Sequence, residues 1–342
     1  ESSFRSMVTH TASELTNLNI QIHGYYIVHG HAHTPEQLQH LQTAWRDMQP
    51  EHGQRRFTAT FFEQIHRFQS YMWYRYILLD FDAAREHAYE WVNLFYLHPQ
   101  MRFKDPDLFM RGLYYLLVFL LFSEREQAYR QYLLDFDAFL KEASDNFNPN
   151  SQHIAFVYNN LAWLNYYFLK KDYQGGLAKV EQVKKELANH RDAMDPHRLM
   201  LFHYKFAYLA FRLSQYDRAL EELKQLLLYR QHILRKEMDL NARLLQVLCL
   251  LANSDYDVAD ARLTSLNRSL GKTNEATPTQ RLSLRLIRDL IKAPAKERAT
   301  VVHYYERPFR RLTPSGQEKK ANLYLDVWGW VRQQYLPQGI TT

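Results

Sequence analysis

One short motif, an aromatic residue followed by Asp, any residue and Ala, recurs along this chain and constrains its fold more than any other feature. It occupies Phe81–Ala84, Tyr216–Ala219 and Tyr256–Ala259. Lys171–Tyr173 is a looser copy, and Ser123–Arg125 fills an equivalent break without the aromatic residue. Counted from positions 81, 124, 173, 216 and 256, the spacings are 43, 49, 43 and 40 residues. Self-similarity at such a period predicts an array of structural repeats.

Four helix starts can be read directly from the sequence. Thr34, Asp105, Asp195 and Thr277 are each followed by proline. A side-chain oxygen at the N-cap accepts a hydrogen bond from the first helical turn, and proline tolerates the first helical position because its missing N–H would be unpaired there. Thr34 and Thr277 also have Gln three residues later, which predicts a capping box at both positions.

Between these signals the apolar residues follow a helical period. Leucine and phenylalanine recur at spacings of three and four over residues 200–213, and the pattern resumes over residues 219–227. Strict alternation over the length of a strand is not evident. Glycine is also scarce, at 10 of 342 residues, whereas the tight turns of sheet proteins commonly need it. The sequence therefore predicts an all-α fold whose unit is helix, break, helix.

The best-defined unit resembles a tetratricopeptide repeat. Phe206 and Ala207 stand where that family has its Leu-Gly pair, Tyr216 stands at its turn aromatic, and Ala219 at its small residue of the second helix. The other units match less closely, and spacings of 40 or more residues exceed the usual 34 of such repeats. The resemblance implies an α-α superhelix, a TPR-like solenoid of antiparallel helix pairs with lengthened, degenerate repeats.

The same resemblance implies a binding surface. In tetratricopeptide arrays the first helices of successive pairs line a concave groove, and this register places Tyr204, Tyr208 and Arg212 on it. These side chains are therefore candidates for contacting a protein or peptide. Tyrosine suits the surface of a groove and equally the packing between adjacent repeats, because it has an apolar body and a polar tip. The 50 aromatic residues of the chain leave both readings open.

Positive charge collects at the C-terminal end. From residue 281 onward there are 12 Lys and Arg against 5 Asp and Glu, a net charge of +7, whereas the whole chain carries +6. We accordingly expect residues 1–275 to form a repeat array of about six helix pairs. Residues 276–342 are expected to form basic capping helices.

One helix of that end carries a basic stripe, formed by Arg281, Arg285, Arg288 and Lys292. Their spacing places them along one side of a helix, beside a leucine-rich face. The stripe can be a solvated face of the kind that the end of a repeat array needs for solubility. It can also be a docking site for an acidic partner or a nucleic acid.

Alternating histidines at His29, His31 and His33 are the strongest candidate metal ligands. Imidazole is a common ligand of Zn²⁺. However, no cysteine stands close by, and the three residues directly precede the helix start at Thr34. A solvated loop that leads into the helix is the preferred interpretation, so no metal is predicted.

Other chemical motifs are incomplete. Glu63 and His66 have a spacing used by di-iron helical bundles, which need a second copy of the motif; none is found. Gly271–Thr273 resembles the end of a phosphate-binding loop, but the position of its first glycine holds Leu266. Cys249 lies in an apolar stretch, as a buried structural cysteine does. The sequence predicts neither an enzyme nor a cofactor, although a site assembled from dispersed residues stays possible.

The cellular setting is predicted from three features. A single cysteine gives no reason to expect an oxidising compartment. The longest apolar run, Gly112–Phe122, has 11 residues, and a membrane-spanning helix needs about 20. Residues 1–5 do not have the pattern of a signal sequence. We expect a cytoplasmic scaffold or adaptor that binds a protein or peptide, with nucleic-acid binding through the basic helices as the alternative. The oligomeric state is left open.

Overall fold

The computed structural model describes residues 2–32, 34–49, 60–190, 194–229, 236–271, 276–312 and 323–336. Within these ranges the chain is helical, with short 3-10 turns at Ser144–Asn146 and Ala295–Glu297 and with no strand. The predicted all-α fold class is confirmed. The α-helices are α1 Ser2–His29, α2 Pro35–Met48, α3 Phe61–Ile77, α4 Phe81–Leu97, α5 Met101–Lys104, α6 Pro106–Phe122, α7 Glu126–Ala143, α8 Pro149–Lys170, α9 Tyr173–His190, α10 Pro196–Arg212, α11 Tyr216–Leu228, α12 Lys236–Ala252, α13 Tyr256–Gly271, α14 Pro278–Lys292, α15 Arg298–Arg310 and α16 Val327–Tyr335.

The chain divides into two compact units, residues 1–172 and residues 173–342. In the first unit α3 packs on α1 and α4, and α6 packs on α4, α7 and α8. In the second unit each helix from α9 to α15 packs on the next one in the chain, and α16 packs on α15. Packing between sequence neighbours is the arrangement of a helical repeat. The division predicted after residue 275 stays a prediction.

The breaks between α3 and α4, α6 and α7, α8 and α9, α10 and α11, and α12 and α13 share one geometry. In each, the N–H of one residue bonds the carbonyl five positions earlier, as from Gln215 to Ala210 at 2.9 Å. This bond and a left-handed residue just before the donor form a Schellman motif, in which the last carbonyls of a helix are satisfied. The left-handed residues, with φ from +51° to +65°, are Leu79, Glu124, Lys171, Ser214 and Ser254.

This corner explains the repeated motif. The aromatic residue of the motif is the first residue of the second helix, two positions after the left-handed residue, at Phe81, Tyr173, Tyr216 and Tyr256. In the remaining break that position is Glu126, because the left-handed residue is Glu124. The sequence comparison aligned position 124 with the aromatic residues, two positions too early. The motif alanines, Ala84, Ala219 and Ala259, are each fully buried.

The four N-caps predicted from the sequence are all present. Thr34, Asp105, Asp195 and Thr277 each accept a hydrogen bond from the backbone N–H three residues later. Thr34 and Thr277 form capping boxes, as predicted. Thr60 forms another with Glu63 at the start of α3, which the sequence reading missed because no proline follows Thr60.

The core of the first unit is built mainly from large aromatic residues. Trp91, Phe95, Phe109 and Tyr129 are buried, and the Tyr129 hydroxyl donates to the carbonyl of Ala162 at 2.7 Å. The apolar run predicted to be a buried helix lies within α6 and contributes to this core. Across the described residues, no helix has both the length and the apolar character that crossing a membrane requires.

The core of the second unit contains charged groups as well as aromatic ones. Phe202, Phe206 and Phe211 are buried on α10. Lys205 of the same helix is 5% exposed, and Glu222 of α11 is 6% exposed. Burying a charge is costly unless partners compensate for the lost water, so the partners of these two residues matter for the stability of this unit.

Candidate functional site

The predicted groove residues lie under another part of the chain. Tyr204 and Tyr208 are 4% and 6% exposed, and Arg212 is half-buried. Residues 323–336, which we call the terminal segment, lie against α10 on this side. The Tyr204 hydroxyl donates to the backbone carbonyl of Tyr324 at 2.9 Å. Part of the same chain therefore covers the side of α10 on which the sequence predicted groove residues.

The terminal segment consists of a short lead-in followed by α16. Asp326 caps this helix by accepting a hydrogen bond from the Gly329 N–H at 2.8 Å. A Cβ atom at position 329 would lie 2.1 Å from Oδ2 of Asp326. Only glycine fits this position with the cap intact, so the sequence around Gly329 fixes how α16 begins.

The segment follows α10 in the same direction. Tyr324 lies at Tyr204, the Trp330 ring lies 5.1 Å from that of Phe211, and the Gln334 side chain donates to the Tyr216 hydroxyl at 3.3 Å. These contacts span α10 from its middle to the corner that follows it. A hydroxyl bonded to a backbone carbonyl and a buried tryptophan ring hold this largely helical segment against α10.

On its other side the segment meets the later helices of the unit. The Trp328 ring stacks on Phe309 of α15, with centroids 4.4 Å apart and planes inclined by 14°. A cavity of about 130 Å³ lies where the segment meets α12, α14 and α15. Its lining includes Asn241 of α12 and Gln280 and Ser283 of α14, all buried polar residues. We use the name first-helix face for the surface of α10, α12 and α14 that meets the segment.

Arg212 is a half-buried cation on the same helix as Tyr204 and Tyr208. Its guanidinium lies 4.4 Å from the ring centre of Tyr173, and it donates to the Tyr208 hydroxyl at 3.2 Å. Burial alone would lower the pKa of Arg212, but the phenol groups of Tyr208 and Tyr173, the hydrogen bond to Tyr208 and the carboxylate of Asp326 together raise it. Burial raises the pKa of Tyr208, and Asp326 adds to the shift.

The terminal segment is not fully satisfied in this position. Among the described residues, the Trp330 indole N–H is buried and has no hydrogen-bond partner. No direct ion pair joins Asp326 to Arg212 in the described part of the chain. A buried donor without a partner weakens an interface, because no protein hydrogen bond replaces the one it made to water. The segment occupies the first-helix face without matching it completely.

The basic stripe of α14 lies at the surface. Arg281, Arg285 and Lys292 are exposed and Arg288 is half-buried. Asp289, an exposed residue of the same helix, accepts a hydrogen bond from the Tyr305 hydroxyl at 2.6 Å. An acidic residue therefore lies beside the basic stripe. These contacts test neither the solvated-face nor the docking-site interpretation of the stripe.

The two described histidine candidates, His29 and His31, have different surroundings. His29 is exposed and its ring lies 4.5 Å from that of Tyr25. His31 is buried, with Nδ1 2.9 Å from the carbonyl oxygen of Tyr76. His33 lies outside the described residues. Among the residues that are described, no three His, Cys, Asp or Glu side chains are grouped so that they could hold a metal ion.

The other candidate residues that the structure describes make contacts that belong to the fold. The Glu63 carboxylate accepts a hydrogen bond from the Thr60 N–H in its capping box. Cys249 is buried, and burial raises the pKa of its thiol. Gly271 is the last residue of α13, and the two residues that follow it in the incomplete phosphate-loop motif lie outside the described ranges.

The sequence reading missed a buried ionic cluster in the second unit. Glu222 is bonded by Lys184 of α9 and by Nδ1 of His203, at 2.8 Å. Burial by itself raises the pKa of Glu222, but the hydrogen bonds from His203 and Lys184 outweigh it and hold the pKa below its usual value. In the sequence Glu221 and Glu222 both read as ordinary solvated acids, which is wrong for Glu222, because only the fold separates the exposed acid from the buried one.

Comparison with known proteins adds no relative: no protein-family model matches this chain, and no curated protein is detectably similar to it.

Proposed function

We propose that the protein is a non-enzymatic scaffold of the tetratricopeptide type, which binds a protein or peptide on the first-helix face of its second unit. One observation carries the proposal: this face already holds a peptide-like stretch, through a hydroxyl-to-backbone bond at Tyr324 and a buried ring at Trp330. A surface that binds its own segment in this way has the polar and apolar groups that peptide recognition needs.

The assignment to the tetratricopeptide type rests on local features. The unit formed by α10 and α11 combines the resemblance at Phe206, Ala207, Tyr216 and Ala219 with a Schellman corner at Ser214. Helix pairs that cannot bury their apolar faces alone are stabilised by stacking on their neighbours, and the stack leaves a long surface for binding.

Panning a random peptide library tests this proposal. The baits are the full chain and its Trp330→Ala variant, in which the resident segment is weakened. We expect peptides with micromolar affinity for the variant, because removal of the Trp330 ring frees part of the face next to Phe211. Tyr304→Ala, which removes an aromatic ring that is 75% exposed on α15, is the matched control and should leave binding unchanged. Recovery of no binding peptide with either bait would refute the proposal.

A further inference from the structure

Positive charge collects around an exposed aromatic ring on α14 and α15. The basic stripe follows one side of α14, and α15, which packs on α14, has exposed residues of its own. We use the name basic face for the stripe together with three exposed residues of α15, which are Tyr304, Arg307 and Arg310. A single exposed ring such as that of Tyr304 is ordinary on a protein surface, so its significance lies in the cations around it.

Contacts between the two helices place Tyr304 beside the stripe. Asp289, three residues before Lys292 of the stripe, accepts a hydrogen bond from the Tyr305 hydroxyl at 2.6 Å. The Tyr305 ring in turn lies 5.5 Å from the Tyr304 ring, at an angle of 79°. Tyr305 therefore links the exposed ring to the row of cations on α14.

The basic face lies on a different side of these helices from the first-helix face. Ser283 of α14 lines the cavity beside the terminal segment, and Phe309 of α15 stacks on Trp328 of that segment. Arg285 and Arg307, each two positions from one of these residues, are exposed. Residues two positions apart in an α-helix point about 200° apart. A ligand on the basic face therefore leaves the terminal segment in place.

Few acidic groups oppose these cations. The one acid of α14, Asp289, already accepts the Tyr305 hydroxyl. The one acid of α15 is Glu306, whose carboxylate lies 3.9 Å from the Arg310 guanidinium. In the described part of the chain, four cations of the basic face make no ion pair, namely Arg285, Arg288, Lys292 and Arg307. An incoming phosphate would meet these four side chains without displacing a carboxylate.

We infer that the basic face binds single-stranded nucleic acid, with its cations on the phosphates and the Tyr304 ring stacked on a base. A row of cations supplies sequence-independent affinity for a phosphate backbone. An exposed aromatic ring stacks on any base that is not already stacked on its neighbours, which is how proteins commonly hold single strands. The inference is independent of the proposed function, because it uses different side chains and another class of partner.

Other anionic partners fit this surface less well. A duplex keeps its bases stacked inside and an acidic polypeptide has no base to offer, so both would use the cations and leave the Tyr304 ring without a role. A membrane surface is bound by a helix with an apolar side that enters the bilayer interface. Within residues 276–312, however, Tyr304 is the one large hydrophobic residue that is exposed, at 75%. Cations around one accessible ring therefore favour a single strand.

The direct test is the fluorescence anisotropy of a labelled oligothymidine of about 20 nucleotides, longer than a typical single-strand site, mixed with the full chain. If four phosphates are contacted, the affinity should fall roughly 50-fold when the salt concentration rises from 50 to 200 mM. The absence of binding at the lower salt concentration, or binding that salt does not weaken, would overturn the inference.

Tyr304 distinguishes a single strand from other anions. Tyr304→Ala should weaken binding of the oligothymidine about 5- to 10-fold and leave its salt dependence unchanged, because the ring carries no charge. Tyr304→Phe keeps the ring and should bind as the unmodified chain does, and a duplex of the same length should bind all three chains equally. Tyr89→Ala, which removes a 44% exposed ring from α4, is the matched control. Equal affinity of the unmodified and Tyr304→Ala chains for the oligothymidine would overturn the single-strand assignment.

The cations are tested by neutral substitutions. Arg285→Gln combined with Arg307→Gln should weaken binding and reduce the slope of log affinity against log salt concentration by about 1.4. Lys185→Gln combined with Lys224→Gln removes two exposed charges from α9 and α11 and should change neither quantity. An unchanged slope in the arginine variant would show that these side chains do not contact phosphates, contrary to the inference.

Competition identifies the class of anion. Polyglutamate and vesicles of anionic phospholipid should displace the labelled strand much less than unlabelled oligothymidine does at the same concentration of negative charge. Equal displacement by either competitor would overturn the inference in favour of an acidic protein or a membrane surface. The peptide binding proposed for the first-helix face does not involve Tyr304, so either proposal can fail while the other stands.

Discussion

The first unit buries large aromatic residues and one carboxylate, Glu63, which caps α3, whereas the second unit buries a lysine and a glutamate in the interior of its helix pairs. Trp91 is buried, and the buried hydroxyl of Tyr129 donates to a backbone carbonyl. Neither contribution to the stability depends on a charged side chain. Lys205 and Glu222 have charges whose cost depends on protonation. The stability of the two units should therefore depend differently on pH, although both are built from the same helix-break-helix unit. Loss of a buried side chain should destabilise either of them.

Removal of a core tryptophan should have the largest effect. Trp91→Ala is expected to cost about 3–5 kcal/mol of unfolding free energy, because Trp91 is 1% exposed and its loss leaves a cavity. Urea denaturation of the full chain, followed by circular dichroism, measures this. A loss below about 1 kcal/mol would contradict the account of the first core.

Gly112 provides the matched test at the same place. A Cβ atom there would lie 3.0 Å from Nε1 of Trp91, so Gly112→Ala should destabilise the unmodified chain. In the Trp91→Ala background the same change should be neutral or stabilising, because the clash is gone and alanine favours helix by about 1 kcal/mol over glycine.

Breaking the ionic cluster of the second unit should have the next largest effect. Glu222→Ala is expected to cost about 2 kcal/mol, because His203 and Lys184 lose charge-assisted hydrogen bonds. Glu221→Ala, whose side chain is 60% exposed, is the control and should change stability by less than about 0.5 kcal/mol. Similar losses in both variants would show that the cluster is not special.

The pH dependence of Glu222 has a defined sign. Its folded-state pKa is lowered, so its contribution is fully present above the unfolded-state pKa of about 4.3 and is lost as the pH falls through the lower folded value. Stability measured between neutral pH and pH 3 should therefore fall more steeply in the unmodified chain than in Glu222→Gln.

The charge of Lys205 should destabilise the folded chain, whereas the charge of Glu222 stabilises it. Burial lowers its pKa to about 7, whereas the unfolded-state value is about 10.4. The unfolded chain therefore binds the proton more tightly, and the stability of the unmodified chain should rise as the pH increases from 7 to 10. Lys205→Met should remove this slope and gain at least about 1.4 kcal/mol near pH 7, the worth of one pKa unit. Lys224→Met, at a side chain 71% exposed, should leave the slope unchanged.

The two units share the same corner geometry, although their cores differ. Glu124 is exposed and has φ +51°, a conformation that costs an ordinary residue about 1 kcal/mol. Glu124→Gly should therefore stabilise the chain by roughly 0.5–1 kcal/mol in thermal denaturation. Glu126→Gly, two residues later at the start of α7, should instead destabilise it by a similar amount. Destabilisation by both changes would contradict the importance of the corner.

The smallest effect on stability is expected at the basic stripe. Replacement of Arg281, Arg285 and Arg288 by Glu should change the unfolding free energy by less than about 0.5 kcal/mol per residue. If the stripe binds nucleic acid, the unmodified chain should bind DNA with an affinity that falls steeply with salt, and the triple variant should not. Equal binding by both chains would exclude the stripe as that interface.

Local chemistry explains how much of the fold could be predicted from the sequence. The N-caps at Thr34, Asp105, Asp195 and Thr277 depend on residues within one helical turn, and all four were predicted correctly. The break at Glu124 was misplaced by two residues because no aromatic residue marks it. Scarce glycine favoured helices correctly, yet the corners use left-handed residues that are not glycine, which composition could not indicate.

The site depends on contacts that no local pattern contains. The bond between Tyr204 and Tyr324 joins residues 120 positions apart, so the register predicted which side of α10 carries Tyr204 but not what covers it. The closely spaced Trp328 and Trp330 near the C-terminal end were the available signal, since two large aromatic rings need a surface to pack on. The buried state of Lys205 likewise could not be read from its neighbours in the sequence.

The uniform corners also determine where this chain can accept foreign sequence. Each corner joins its two helices through two or three residues with a fixed bonding pattern, so added residues would break the Schellman bonds and misalign the helices. The connections that follow α2, α4, α7, α9, α11 and α13 range in length from 3 residues after α4 to 12 residues after α2, so their lengths follow no common rule. Fluorescent tags, epitopes or a permuted terminus should therefore be tolerated at those joints and rejected at the corners.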